Sequence, residues 1–245
     1  MPTACAVSPD AGAPNARDRI EASSGRRRLY GRSRGKGLRP GQERLLQDAL
    51  PLVAIAPETL GQGSLFAFEP RELWLEIGFG AGEHLIDEAK AHPDVGLIGC
   101  EPFLNGVAAA LSAIEREKLV NVRIRLGDVQ TLLEAAPDAM FSRVFLLYPD
   151  PWPKRRHHKR RIVSEPIIEA VARVLKPGGE LLFATDIDDY AGWTLSRFLA
   201  SPAFRWNAAR AADWRTPWPR WRPTRYEAKA RKAGRASVYL SFVRL

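Results

Sequence analysis

Cysteine is scarce: Cys5 and Cys100 are the only two in 245 residues. That is too few for a disulfide framework or a Cys-rich metal site, and it points to a reducing compartment, with the cytoplasm as the expected location. Long hydrophobic runs are missing too. None approaches the roughly 18 to 20 residues of a membrane span, and residues 1–25 lack the apolar stretch of a secretory signal, so no membrane partner is expected. His157 and His158 stand side by side without a spaced carboxylate or thiol, so no metal is expected either. With 45% apolar and 27% charged residues, what remains is a globular chain long enough for one large domain.

Acids are outnumbered, 28 against 37 Lys and Arg, and the net charge is +9. Residues 1–40, 153–161 and 214–245 together carry +20, which leaves −11 for everything else. An acidic body wearing three basic segments calls for a polyanionic partner.

Residues 1–39 are rich in Ala, Pro, Gly, Ser and Arg and read as a flexible basic arm. Residues 40–245 form the domain. A short helix is predicted from Gln42 to Leu50, stopped by Pro51. Five apolar runs then read as strands: Leu73–Ile77, Val95–Cys100, Val122–Leu126, Val144–Leu147 and Leu181–Ala184. Segments of helical period separate them, around Ile86–Lys90, Val107–Ile114, Leu132–Ala136 and Ile167–Leu175. Strands apolar on both faces and joined by helices give a doubly wound, mostly parallel α/β sheet. Ser237–Val243, alternating and β-branched, is predicted to close it antiparallel at its far side.

Ligands of such sheets bind beyond the carboxyl ends of the strands. After the first strand comes Glu76-Ile-Gly78-Phe-Gly80-Ala-Gly82, a turn through which a ligand can approach the backbone. Glu83 stands where a dinucleotide fingerprint has glycine, and its charge repels a pyrophosphate, so a cationic, phosphate-free cofactor fits better. Glu101 ends the second strand, placed to accept from ribose hydroxyls; Asp128 follows the third, placed to accept from an adenine amino group. The fourth runs into Tyr148-Pro-Asp150-Pro-Trp152-Pro-Lys154, then Arg155, Arg156, His157, His158, Lys159, Arg160 and Arg161. An acid held between prolines, an aromatic and six cations together suit nucleic acid. Thr185-Asp186 follows the fifth strand, and Glu227 is a lone acid in a basic stretch, tolerable if it pairs with an arginine or reads a base edge.

These motifs closely resemble the bacterial tRNA (guanine-N7-)-methyltransferases over residues 37–245: Leu75 to Gly82, Pro149-Asp150-Pro151-Trp152 with its basic run, Thr185-Asp186, and Thr224-Arg225-Tyr226-Glu227. The chain departs from the family pattern at Pro153, where His is usual, and at Arg225-Tyr226 in place of Lys-Phe. The resemblance implies a Rossmann-like methyltransferase fold, S-adenosylmethionine as methyl donor, and methylation of guanine N7 at position 46 of the tRNA variable loop. It further implies that Glu76, Gly78, Gly80, Gly82, Glu101, Asp128 and Asp150 surround the cofactor, with Asp150 also catalytic. Lys154, Asp186, Thr224, Arg225, Tyr226 and Glu227 fall at the target nucleotide, and residues 155–161 contact RNA. Rival readings are less well served. An amino-group methyltransferase would carry a second proline and an aromatic after the acid, a nicotinamide enzyme is opposed by Glu83, and a bare RNA-binding protein needs no acidic cofactor grip. Nothing in the sequence selects between a monomer and a homodimer.

Overall fold

The computed structural model describes residue 35 and residues 37–245. Most of the predicted basic arm therefore lies outside the described residues. Seven strands form one sheet: β1 (Glu72–Ile77), β2 (Val95–Glu101), β3 (Val122–Leu126), β4 (Phe141–Leu147), β5 (Leu175–Thr185), β6 (Phe204–Trp206) and β7 (Val238–Arg244). Their order is β3-β2-β1-β4-β5-β7-β6. β1 to β5 pair in parallel, and β7 runs antiparallel to both β5 and β6. The chain winds outward from β1 to β3 and then returns to β4 on the other side of β1. The order of strands thus reverses between β1 and β4, which is where doubly wound sheets place their ligands.

Period-two alternation sends side chains to two separate cores. Leu75, Ile77, Ile98, Cys100, Val144, Leu146, Leu181 and Phe183 face one side. Trp74, Val95, Leu97, Phe145, Leu147, Leu182 and Ala184 face the other. The first face is covered by α5 (Val129–Ala135), α6 (Glu165–Val174) and α7 (Asp188–Ala200) through Leu132, Leu133, Ile167, Ile168, Val171, Tyr190 and Phe198. The second is covered by α3 (Glu83–Ala91) and α4 (Leu104–Glu117) through Leu85, Ile86, Val107, Leu111 and Ile114. Two short helices, α8 (Ala212–Arg215) and α9 (Arg225–Lys232), lead back to β7.

One expectation needs correction. The first helix does not stop at Pro51: α1 (Pro40–Arg44) continues through a wide π turn, Leu45–Ala49, into α2 (Leu50–Val53), where the proline occupies an opening position. Proline cannot donate to the preceding turn, and widening that turn just before it lets the chain remain helical. The last strand pairs antiparallel with β5 as expected, and one further strand, Phe204–Trp206, three residues and too short to show alternation, lies outside it. Among the described residues no helix is long and apolar enough to cross a membrane.

Asn121, buried in the turn from α4 to β3, donates its side-chain amide to the carbonyls of Ala89, His92 and Val95, each at 3.0 Å. It thereby ties the end of α3 to the start of β2. Asn121→Ala leaves three buried carbonyls without that donor and is expected to lower the unfolding free energy in urea by about 1–3 kcal/mol. A loss under about 0.5 kcal/mol would show that the clamp is dispensable.

Candidate active site

The glycine turn after β1 is shaped by backbone that only glycine adopts without strain: φ is 73° at Gly78, 60° at Gly80 and 83° at Gly82. It is also crowded from behind. A Cβ at Gly106, in the first turn of α4, would stand 2.2 Å from the Gly80 carbonyl oxygen. At Gly78 an added Cβ would meet nothing within 4 Å, so the open side of the turn faces free space.

Glu101, the last residue of β2, fixes this turn. One of its carboxylate oxygens accepts from the Gly80 amide at 2.7 Å and the other from the Phe103 amide at 2.9 Å. Burial pushes its carboxyl above the ordinary value, the two amides act the other way, and the charges of Asp150 and Glu76 push it up again. Asp128 caps α5, accepting from the Gln130 amide at 3.0 Å. Both acids keep further lone pairs for a ligand.

Glu76 lies on the α3 side of β1 and is buried against His84, whose Nδ1 is 2.9 Å from a Glu76 oxygen. The other imidazole nitrogen is 3.8 Å from Glu88, and Glu88 is 3.5 Å from His92. An alternating acid–histidine series therefore runs from beneath the glycine turn along one face of α3. Burial lowers the His84 imidazole pKa, but Glu76, Glu88 and Asp87 outweigh it and hold it above the ordinary value. Sequence reasoning missed His84, because a histidine two residues past a glycine turn carries no spacing signal.

Asp150 is exposed on the loop after β4. That loop is bracketed by two non-glycine residues in the left-handed region, Tyr148 (φ 49°) and Trp152 (φ 43°), each costing on the order of 1–3 kcal/mol. Several contacts hold it there. The Tyr148 amide donates to the Ala184 carbonyl at 2.7 Å, its hydroxyl donates to Ser237 Oγ at 2.9 Å, and its ring stacks on Tyr226. The Pro151 carbonyl accepts from Arg161 Nε at 2.8 Å.

The basic run is not one uniform surface. Lys154 leads into a 3-10 helix, Arg155–Arg160, in which Arg155, Arg156 and Lys159 are exposed. Arg160 lies over the Trp152 ring, 4.9 Å from its centroid. His157 is held below the usual imidazole value by desolvation and by the cations around it. Arg161 corrects the expectation of RNA contact: it is 0% exposed, paired with Asp189 and set between the rings of Tyr190 and Trp193. It anchors the loop from inside, since a guanidinium that stacks on aromatic faces and caps a carbonyl has no path to a phosphate.

Thr224-Arg225-Tyr226-Glu227 comes back over the glycine turn. Thr224 caps α9 by accepting from the Glu227 amide at 3.3 Å. A Cβ on Gly80 would lie 3.2 Å from the Tyr226 hydroxyl and 3.3 Å from the Arg225 guanidinium, and Arg225 Nε is 3.5 Å from Glu83. Glu227 is 1% exposed; it accepts from Trp221 Nε1 at 2.7 Å and pairs with Arg231. Both its oxygens are thus engaged, one by Trp221 and one by the exposed Arg231, and not by Arg222, Arg225 or Lys229. Asp186, after β5, is 2.7 Å from Arg235 Nε and is partly accessible. A cavity of about 870 Å³ between α6 and α7, lined by Glu165, Arg197 and Arg244, contains none of these residues and lies at the amino end of β5, away from the ligand edge.

The His84–Glu76 pair has a pH signature. Because the folded imidazole is raised, its stabilisation is complete below about pH 6.5, the ordinary imidazole value, and is lost as pH rises through the folded-state value. His84→Gln is therefore expected to cost most in the acid range and to flatten the dependence of stability on pH above the ordinary imidazole value. Denaturant curves across that range check it, and parallel profiles for the two proteins would refute the assignment.

Comparison with known proteins converges on one family. A family described as "Putative methyltransferase" matches residues 70–240. A tRNA (guanine-N(7)-)-methyltransferase of Azorhizobium caulinodans is 51% identical over 89% of this chain and 95% of its own. One of Nitrobacter hamburgensis is 47% identical over 90% and 88%. Among solved structures, TrmN from Thermus thermophilus superposes with a TM-score of 0.50 at 14% identity, over 72% of this chain and 45% of that one. The [4+2]-cyclase SpnF superposes equally well at 15% identity, over 73% and 76%. At such identities these two speak for the fold alone. The relatives carry the assignment: nearly the whole described chain aligns with theirs at about half identity, and it belongs to the tRNA (guanine-N(7)-)-methyltransferase family.

Proposed function

We propose that this chain transfers a methyl group from S-adenosylmethionine to N7 of guanine in tRNA, at position 46 of the variable loop, giving 7-methylguanosine. The observation that carries this reading is the meeting at Gly80. Glu101 holds the turn from the cofactor side, and Tyr226 and Arg225 cover it from the segment assigned to the nucleotide. Cofactor and base residues, far apart in sequence, share one turn at the ligand edge.

The residues present fit the cofactor. A nucleoside needs acceptors for ribose hydroxyls and an adenine amino group, which Glu101 and Asp128 supply from adjacent strand ends. Gly78, Gly80 and Gly82 let its methionine part approach the backbone, and Glu76 with its neighbours gives the acidic surroundings that a cation requires. When bound, S-adenosylmethionine supplies an electrophilic methyl group on a sulfonium centre.

Guanine N7 already carries a lone pair in the ring plane, so no base has to remove a proton first. What the protein contributes is alignment and charge. Lys154 and the Tyr226 face position the nucleotide, and orientation of that kind is worth much of the rate. Asp150 stabilises the positive charge that grows on the methylated ring. Asp186, rather than the buried Glu227, is the carboxylate available to accept from guanine N1–H and the 2-amino group, a donor pair that adenine lacks. Arg155, Arg156, Lys159 and His157 face RNA phosphate, and Glu227 and Arg161 support the loops that present these groups. The place of action is the cytoplasm.

Purified protein incubated with unmodified tRNA and S-adenosylmethionine in the presence of a chelator is expected to produce 7-methylguanosine at the variable-loop guanine, located by aniline cleavage after reduction. Methylation confined to adenine, or dependent on added metal, overturns the reading. Two acids should then separate kinetically. Asp128→Ala is expected to raise the cofactor KM with little change in kcat. Asp150→Ala is expected to lower kcat at saturating cofactor by about 10²- to 10³-fold. Equal kcat losses at saturation would dissolve that division of labour.

A further inference from the structure

A second concavity, of about 440 Å³, opens at the ligand edge where β7 begins, beside Asp186. Three guanidinium groups line it: Arg215 from α8, Arg231 from α9 and Arg235 from the turn that follows. Glu227, Ser237 and Tyr239 complete the wall. None of these arginines belongs to the basic run after Asp150, and nothing in the mechanism above uses them.

Their charges are only partly answered. Arg231 is paired with Glu227, Arg235 with Asp186, and Arg215 has no acidic partner among the described residues. A guanidinium carries five N–H donors in a planar fork, so an arginine that gives one edge to a carboxylate still has others to offer. All three are exposed. Ser237 adds a hydroxyl to the wall, its Oγ accepting from the Tyr148 hydroxyl at 2.9 Å. Donors converge from four directions, and the one acid in the wall is 1% exposed with both oxygens already bonded.

We infer that this cavity is a phosphodiester site, taking the RNA backbone phosphate adjacent to the target guanine. The inference rests on the reading of the chain as a tRNA guanine methyltransferase and adds to it the group that fixes the nucleotide from its backbone. Arg235 is shared between the two halves of the site: its Nε holds Asp186, the acid assigned to the guanine edge, while the rest of its fork faces the cavity. A phosphate here and a base on Asp186 belong to the same nucleotide or its neighbour. The Tyr148–Ser237 bond further joins the cavity to the Asp150 loop, so a phosphate that engages Ser237 steadies the loop that carries the catalytic acid.

The test uses the full-length enzyme with tRNA carrying a single neutral methylphosphonate linkage, placed in turn at the phosphates flanking the target guanine. Arg215→Gln is the main variant, and Arg235→Lys, which keeps the charge beside Asp186 but removes the fork, is the second. In wild-type enzyme one flanking methylphosphonate is expected to weaken binding several-fold; in Arg215→Gln that same substitution is expected to cost nothing further. The slope of log affinity against log salt should fall by roughly 0.7 to 0.9 in Arg215→Gln, one phosphate contact's worth, with binding of S-adenosylhomocysteine undisturbed. Arg235→Lys should lose the methylphosphonate effect while keeping most of the slope. Unchanged slope and unchanged methylphosphonate sensitivity in both variants, with guanine still methylated by wild type, remove the phosphate site and leave the proposed activity standing. A wild-type enzyme that does not methylate guanine in tRNA removes both.

Discussion

Everything at the ligand edge is placed relative to one hydrogen bond, from the Gly80 amide to the Glu101 carboxylate. The bond joins the turn after β1 to the end of β2, the pair that the sheet already holds in register from Glu72↔Val95 to Ile77↔Cys100. With Gly80 fixed, the first turn of α4 can approach only because Gly106 has no side chain, and the α9 segment settles closely on the other side, where a Cβ on Gly80 would crowd the ends of Tyr226 and Arg225. Three elements thus close on one peptide unit. In the proposed function the same carboxylate accepts from the nucleoside ribose, so one group would both build the turn and hold the ligand.

The Asp150 loop solves a different problem. Asp150 must stand beyond the strand end among prolines, and the chain reaches that shape through two strained residues, Tyr148 and Trp152. Strain of this size persists only where surroundings overdetermine it. Here they do: Tyr148 is gripped by β5, Ser237 and Tyr226, and the far end is pinned by Arg161, which is buried between two aromatic rings and bonded to Pro151. The basic run therefore does two jobs with one composition. Its outward members meet solvent, and its last member is part of the interior.

Much of this was legible in the sequence because it rests on local pattern. Strands β1 to β5 and the helices between them follow from apolar periodicity, and the glycine turn and proline-flanked Asp150 follow from residue type and spacing. What escaped depends on partners distant in the chain. Nothing local marks His84 as the partner of Glu76, Trp221 as the donor to Glu227, or Arg161 as buried while Arg155 is exposed. Composition gives charge but not direction, and a run of six cations hides which side faces the core. The π turn before Pro51 escaped for the opposite reason: a local rule, that proline ends a helix, was overridden by packing of Leu45, Leu46 and Leu50 on α4's side of the core.

The reversed last strand has a consequence for how the protein comes into being. β7 starts at the ligand edge, and Ser237 just before it is 89 residues from its partner Tyr148. Synthesis runs from the amino terminus, so the glycine turn and its acids are made before the cover over Gly80, the brace on Tyr148 and the arginine-lined cavity. A growing chain therefore holds an open ligand edge until α9 and β7 have emerged. Closure of that edge comes late in the order of synthesis, because such long-range contacts cannot form before both partners exist.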